Sequence, residues 1–388
     1  MLPPLEEQQR AHSERLAALV RAQLIEAGGW LSFERFMDLA LYAPGLGYYS
    51  AGSAKLGPGG DFVTAPELSD LFSRCIARQC AAVLEATGGE ILELGAGTGR
   101  LAAAVLSELA ALDRLPGRYA ILEVSADLAQ RQRAHLARLP EALRQRITWL
   151  ERLPEQPVRG VMLANEVADA LPCRRFRREG TGINELGVAL ADGEPHRFVE
   201  KERAPDASLA RAYAELLRDL PDPLPVGYTS ELCLRADAWI ASLAACLDRG
   251  LLLLCDYGLP RRHYYHPQRT GGTLRCHYRQ LAHDDPFINL GVQDITAWVD
   301  FTRIAAAGHS AGLEVQGFAT QAAFLLGCGI EELVLESGEG IEHARRAAEA
   351  RRLLMPEEMG EAFKVMALAR DLDIPLAGFV LQDLRHLL

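Results

Sequence analysis

The chain has 388 residues, 49% of them hydrophobic and 24% charged, a balance that builds a packed core and excludes disorder as the main state. Its 41 Lys and Arg against 52 Asp and Glu leave a net charge of −11, which argues against a broad phosphate-tracking surface and so against a general nucleic-acid binder. At about 150 residues per domain the length implies two or three domains, or one core carrying large insertions.

Residues 6 to 27 place Leu16, Leu19, Val20, Leu24 and Ala27 on one helical stripe that ends at Gly28-Gly29, the pattern of an amphipathic helix with a glycine C-cap. A second short helix is expected over Ser32 to Leu41. The stretch APGLGYYSAGSAKLGPGGDF, which embeds Tyr48, Tyr49 and Phe62, holds too much glycine for a regular element. Thr64-x-x-Glu67 with Pro66 then predicts a capping box, opening one helix through Leu68, Leu71, Phe72, Cys75, Ile76, Cys80 and Val83 to Gly88.

From Glu90 onward the periodicity changes to short apolar runs. Strands are predicted at Glu90–Leu94, Tyr119–Val124, Ile147–Leu150, Val161–Ala164 and Leu251–Cys255, with helices between the first three, and at Leu313–Ala319 and Phe363–Leu368. Buried strands alternating with helices predict an α/β, doubly wound, mostly parallel sheet. Between Cys173 and Gly227 the pattern breaks, and ELGVALADGEPHRFVE alternates about Asp192-Gly193 as a β-hairpin does. Residues 258 to 299, rich in His, Tyr, Arg and Pro, read as loop. Both segments are expected over the sheet's carboxyl edge, where α/β proteins bind ligands.

The chemistry concentrates after the first predicted strand, where Glu93-Leu94-Gly95-Ala96-Gly97-Thr98-Gly99-Arg100 sets a glycine turn between strand and helix. A dinucleotide fingerprint spaces its glycines G-x-G-x-x-G. Here the spacing is G-x-G-x-G, with Arg100 following. With an acid two residues before the first glycine, it resembles motif I of class I S-adenosylmethionine (SAM) methyltransferases. SAM has no pyrophosphate, and glycines without Cβ let an adenosine and an amino-acid tail approach the backbone. Glu93 would hold the tail's ammonium, directly or through water, and Glu123, ending the next strand, would accept from both ribose hydroxyls. An NAD or FAD site and a purely structural turn are the alternatives.

The fourth strand runs into Asn165-Glu166-Val167-Ala168-Asp169-Ala170-Leu171-Pro172. If a helical turn follows Asn165, Glu166 and Asp169 lie three apart on one face. Two carboxylates there could orient a cationic nucleophile; alternatively Asn165 and Glu166 only cap a helix.

GDFVTAPELSDLF, LELGAGTGRL, NEVADALP, LLLLCDYG, GGTLRCHY, QDITAWVDFT and PEEMGEAFKVMAL, spread over residues 40 to 379, resemble in sequence and order the MidA family. Its mitochondrial members are complex I assembly factors regarded as protein arginine methyltransferases. The resemblance implies a class I SAM-methyltransferase fold: a seven-stranded, mostly parallel Rossmann-like sheet with helices on both faces. It divides the chain into an N-terminal cap at 1–75, a core at 76–172 and 228–388, and an inserted β-hairpin subdomain at 173–227. The expected cofactor contacts are Glu93, Gly95, Ala96, Gly97, Gly99, Glu123, Val124 and Asn165, with Phe62 and Thr64 from the preceding segment, and Glu166 and Asp169 are the expected catalytic pair. The implied reaction converts SAM to S-adenosyl-L-homocysteine (SAH) and methylates a protein arginine, with a respiratory-complex subunit as a candidate partner. A guanidinium stays protonated below about pH 12, and flanking carboxylates would draw its charge to the far nitrogens. A SAM-binding assembly chaperone without catalysis and an NAD-dependent oxidoreductase are the rival readings.

Other signals carry less. Gly308-His309-Ser310-Ala311-Gly312 spells G-x-S-x-G, yet a helix-like segment precedes it and a strand-like one follows, the reverse of a nucleophile elbow. His263, His266, His277 and His283 fit no metal-ligand spacing, so no metal is expected. Asp256-Tyr257-Gly258 reads either as cleft-facing or as a solvated turn, and Arg174 to Arg178 as a solvated basic face or an acidic partner's contact. Eight scattered cysteines without a C-x-x-C pair, no leader-like N-terminus and no apolar run of about 18 residues lead to the expectation of a cytoplasmic protein without a membrane span.

Overall fold

The computed structural model describes residues 2–51 and 64–388. The chain forms two compact units, one comprising Val63–Ala168, Asp237–Leu259 and Val299–Leu388, the other Met1–Phe62, Asp169–Ala236 and Pro260–Trp298. These bounds differ from the expected division into cap, core and insertion. The N-terminal helices, the hairpin and the 260–298 region share one apolar core, in which Leu16, Val20, Phe36 and Met37 are buried together with Val188, Phe198, Cys276 and Ile295.

The first unit is built on a sheet whose seven main strands are β1 (Glu90–Leu94), β2 (Tyr119–Leu122), β3 (Ile147–Leu150), β4 (Val158–Asn165), β5 (Leu247–Leu259), β6 (Glu314–Thr320) and β7 (Phe363–Arg370). Their order is β6-β7-β5-β4-β1-β2-β3, and Val299–Asp300 adds a short parallel pairing to the end of β5. The pairs β3-β2, β2-β1, β1-β4 and β4-β5 are parallel, and β7 runs antiparallel to both its neighbours. Every predicted strand is present. The centre of the sheet is a continuous apolar run, Val161, Met162 and Leu163 in β4 against Leu251 to Leu254 in β5, all buried, as strands covered on both faces must be.

The helix expected from Thr64 to Gly88 is two helices, Ala65–Leu68 and Asp70–Thr87. Ser69 breaks it by taking an extended conformation (φ −157°, ψ 146°), and its hydroxyl caps the second helix by accepting from the Leu71 N–H at 3.2 Å. Thr64 makes no side-chain cap, so the predicted capping box does not form. The G-x-S-x-G sequence ends the helix Phe301–Ser310 and precedes β6, which is no nucleophile elbow.

In the second unit the helices Glu7–Glu26 and Phe33–Tyr42 appear where the periodicity puts them, the latter capped by Ser32. A five-stranded antiparallel sheet orders Leu31–Ser32, Gly182–Ala191, Arg174–Glu179 and Thr229–Leu232, with Glu194–Arg203 folded back on Gly182–Ala191. The hairpin turns at Asp192-Gly193 as expected. The basic run is neutralised within this sheet: Arg174 pairs with Glu185 and Asp206, Arg175 with Glu200, and Arg177 with Glu200 and Glu202. That leaves those three guanidiniums engaged by acids of their own chain. Residues 258–299 are not all loop, because Arg275–Tyr278, Leu281–His283 and Asp294–Thr296 make a small sheet. Strands of three or four residues are too short to display an alternation. No helix among the described residues is long and apolar enough to cross a membrane.

Candidate active site

The parallel strands of the first unit end at one edge, and backbone hydrogen bonds carry the ladder past their last residues. Gly95 N donates to Leu122 O at 3.1 Å, Glu123 N to Leu150 O at 3.0 Å, and Glu166 N to Cys255 O at 2.9 Å. The turn after β1, the acid after β2 and the turn after β4 are thereby fixed relative to one another along one sheet edge.

Gly95, Gly97 and Gly99 have φ of 63°, 53° and 86°, left-handed values that side chains with a Cβ adopt at a cost. Three such residues in five curl the chain between β1 and the helix Arg100–Ala111, with Ala96 buried between them. Glu67, placed by the short helix before Ser69, clamps this turn: Thr98 donates its hydroxyl to Glu67, and Arg100 Nε lies 3.2 Å from the same carboxylate. Glu67 thus serves the glycine turn rather than its own helix end. Thr64 is half-buried at the start of that helix, and Phe62 lies outside the described residues.

Glu93 is buried in β1 and accepts from Tyr119 Oη at 2.7 Å. Burial pushes its carboxyl up to about 7, with the nearby Glu123 adding to the rise and the Tyr119 hydroxyl opposing it. Glu123 is also buried and also pushed up by burial, against which the Ser125 N–H and the Gln132 amide favour its charged form. Ser125 N lies 2.8 Å from Oε1 and Gln132 Nε2 2.9 Å from Oε2, and the Val124 N–H also favours the charged form. A carboxylate offers about four acceptor sites, so capacity remains for a ligand carrying two adjacent hydroxyls. The next side chain, Val124, is 75% exposed, an apolar surface suited to the face of a base. Gln132 was not singled out by sequence reasoning. Its signal is a polar residue on the buried face of the helix Ala126–Leu136, in line with Ala129 and Leu136.

No helical turn follows β4. Glu166 takes a left-handed conformation, φ 53°, and the next residues are a bend without helical hydrogen bonds. The expected pair on one helix face is therefore absent, and Asn165 caps nothing. Asp169 is buried in the other compact unit, where its carbonyl accepts from Ala297 N at 3.0 Å. The turn is held by Asp256 of β5, whose carboxylate accepts from Val167 N at 3.1 Å, Ala168 N at 2.8 Å and Tyr257 N at 2.8 Å. Asp256 is neither a cleft acid nor a solvated turn residue but a buried acceptor for backbone. Asn165 donates weakly to Glu166 at 3.4 Å, and its buried Oδ1 has no hydrogen-bond partner among the described residues. Val167 packs onto Gly95, so the two turns touch.

Left-handed glycines, an acid open to a diol, an exposed apolar neighbour and a buried acid able to gain from a cation form a set that fits an adenosyl group with an amino-acid tail. Comparison with known proteins agrees. Residues 75–319 match a family described as "Putative S-adenosyl-L-methionine-dependent methyltransferase". Among curated proteins, the chain is similar to protein arginine methyltransferase NDUFAF7, mitochondrial, of Danio rerio, with 30% identity over 88% of this chain and 84% of that protein, and to its Mus musculus counterpart, with 29% identity over 92% and 86%. Among solved structures, a Burkholderia thailandensis protein crystallised with S-adenosyl-homocysteine shares 42% identity over the full length of both chains with a TM-score of 0.93. A native crystal structure of a protein from the same organism and superfamily gives 41% and 0.91. The chain belongs to this family of S-adenosyl-L-methionine-dependent methyltransferases.

Proposed function

We propose that this methyltransferase modifies an arginine side chain of a protein, with the cofactor held by the edge of the parallel sheet. The observation that carries the reading is Glu166, fixed in a left-handed turn at the end of β4, one residue from the Val167 side chain that packs onto Gly95. Residues held in sparsely populated backbone conformations cluster at functional sites, and a carboxylate suits a cationic nucleophile. Support for arginine comes from the relatives named protein arginine methyltransferase.

Within this reading Glu93 faces the ammonium of the amino-acid tail, Glu123 accepts from the ribose hydroxyls, and Ala96, Gly97, Gly99 and Val124 border the adenosine. Asn165, through its unpartnered Oδ1, accepts from a ligand N–H. Bound SAM supplies a methyl group activated by its sulfonium. Glu166 accepts hydrogen bonds from two guanidinium nitrogens and draws positive charge toward them, which leaves the third nitrogen richer in electrons. Holding the nucleophile in line is worth about 7 to 11 kcal/mol in well-oriented reactions, so fixing Glu166 matters as much as its charge. A subunit of a respiratory complex is the candidate substrate that the resemblance to the MidA family implies.

The test is incubation of the purified enzyme with methyl-labelled SAM and lysate from a strain lacking it, followed by mass-spectrometric mapping of the label. Label on arginine, lost with Glu166→Gln, is expected. Label confined to lysine, RNA or a small molecule overturns the arginine reading.

A further inference from the structure

Gln132 is fully buried, yet every hydrogen-bonding group of its amide is engaged. Nε2 donates both its protons, one to Gly97 O at 3.0 Å and one to Glu123 Oε2 at 2.9 Å, and Oε1 accepts from the Trp149 indole Nε1 at 3.0 Å. The amide has one possible orientation. Flipped, it would set its oxygen against a carboxylate and a carbonyl and its NH2 against the indole N–H. Three parts of the sheet edge thereby meet on one side chain: the middle of the glycine turn, the acid after β2, and the end of β3.

We propose that Gln132 is a positioning residue for cofactor binding, a donor latch that holds the Glu123 carboxylate charged and aimed while tying it to the Gly97 carbonyl. The inference rests on the cofactor site proposed above. Glu123 is buried, and a buried carboxylate tends to take up a proton. A protonated Glu123 would donate as well as accept and lose one of the sites needed by two hydroxyls. Gln132 and the Ser125 N–H supply the counterweight, one on each oxygen. Glu93 of β1, hydrogen-bonded to Tyr119 of β2, interacts electrostatically with this acid, and Arg133 of the same helix places its guanidinium carbon 4.9 Å from the centre of the Trp149 ring. Because Glu123 acts on Glu93, the Gln132 contribution is isolated by taking the ratio of variant to wild-type affinity with Glu93→Gln in both, where Glu93 no longer titrates.

SAH binding is measured calorimetrically from pH 6 to pH 9 for wild type, Glu123→Gln, Gln132→Leu, Gln132→Glu and Trp149→Phe, each with and without Glu93→Gln, and thermal unfolding of each variant checks the fold. Gln132→Leu removes the donor to an ionised group and weakens binding about ten- to hundredfold, most severely at pH 6, the penalty shrinking as pH rises. Gln132→Glu keeps the volume and an acceptor for the indole. Its carboxyl shares a proton with Glu123 at low pH and repels it at high pH, so its penalty grows as pH rises. Trp149→Phe leaves both donors in place and costs less than either. Opposite pH slopes for the two Gln132 variants would not arise from a merely structural role, and parallel or flat penalty curves overturn the latch. If Glu123→Gln binds SAH like wild type, the placement of the cofactor is wrong; if it loses binding while both Gln132 variants match wild type, the placement stands and the latch falls.

Discussion

A β-carbon at Gly95 would lie 3.4 Å from Val167 Cγ2, which makes the glycine turn and the turn bearing Glu166 a single packed element at the sheet edge. The distance is an ordinary contact, so the constraint on Gly95 is its φ of 63° and not crowding. Gly95→Ala should therefore lose about 1 to 2 kcal/mol of stability from left-handed strain, together with SAH affinity. Urea denaturation of Gly95→Ala and of the double variant with Val167→Ala checks the cause. Backbone strain leaves the double variant no more stable than the sum of its parts, whereas recovery on trimming Val167 would make crowding the cause.

Glu166 separates stability from activity. A non-glycine residue at φ 53° is strained, and glycine relieves the strain by about 1 kcal/mol relative to alanine. Glu166→Gly should unfold at higher denaturant than Glu166→Ala, and neither should transfer methyl groups. SAH affinity should stay within about threefold of wild type, since 1.4 kcal/mol corresponds to a tenfold change and the proposed role of Glu166 is toward the nucleophile rather than the cofactor. A Glu166→Gly enzyme that keeps single-turnover transfer from labelled SAM would remove this residue from the reaction.

The strands and the glycine turn were legible because their signals are local. Leu251 to Cys255 is an apolar run of strand length, and G-x-G-x-G after a strand fixes a turn by what glycine alone adopts cheaply. The carboxylates that organise the site were less legible. Glu67 follows Thr64 at capping-box spacing, but its partner is Thr98, 31 residues on, and no local rule weighs that choice. Asp256 follows the apolar run Leu251 to Cys255, and nothing in Cys255-Asp256-Tyr257 says that its neighbours in space will be the amides of Val167 and Ala168. The same limit produced the error at Glu166 and Asp169. Spacing of three suggests a helix face, while the chain takes a left-handed bend whose amides a strand partner satisfies. Sequence periodicity reads what a segment does alone; tertiary hydrogen bonds decide between conformations of similar local energy.

Asp256 supplies the next prediction. Its carboxylate, 2% exposed, holds three backbone N–H groups, and hydrogen bonds to a charged acceptor are worth about 1.5 to 3 kcal/mol each, with further cost when buried donors are left unmet. Asp256→Ala should lose roughly 3 to 5 kcal/mol in chemical denaturation. Asp256→Asn, which keeps one acceptor oxygen but points an NH2 at another N–H, should lie between it and wild type. Methyl transfer should fall more than SAH binding in the asparagine variant, because the turn that loosens carries Glu166. An asparagine variant with weakened SAH binding and a normal rate at saturation would place Asp256 with the cofactor instead.

Glu93 should make cofactor binding release a proton. Its carboxyl titrates at about 7 in the folded protein against an ordinary 4.5, so near pH 6.5 much of it is protonated. An ammonium placed beside it favours the charged form. Calorimetric SAH titrations at pH 6.5 in buffers of different ionisation enthalpy should report a fraction of a proton released per site, absent in Glu93→Gln. The stability linkage has the opposite sense to that of a salt-bridged acid. Between 4.5 and about 7 the folded state binds more protons than the unfolded one, so the contribution of Glu93 is full below the lower value and is lost as pH rises through the upper. Glu93→Gln should then match wild type in stability near pH 4 and exceed it at pH 8 by roughly 1 to 3 kcal/mol. An enzyme whose ligand binding exchanges no proton, and whose Glu93→Gln variant shows the same stability difference at both pH values, would mean that Glu93 is charged throughout and holds Tyr119 rather than the cofactor.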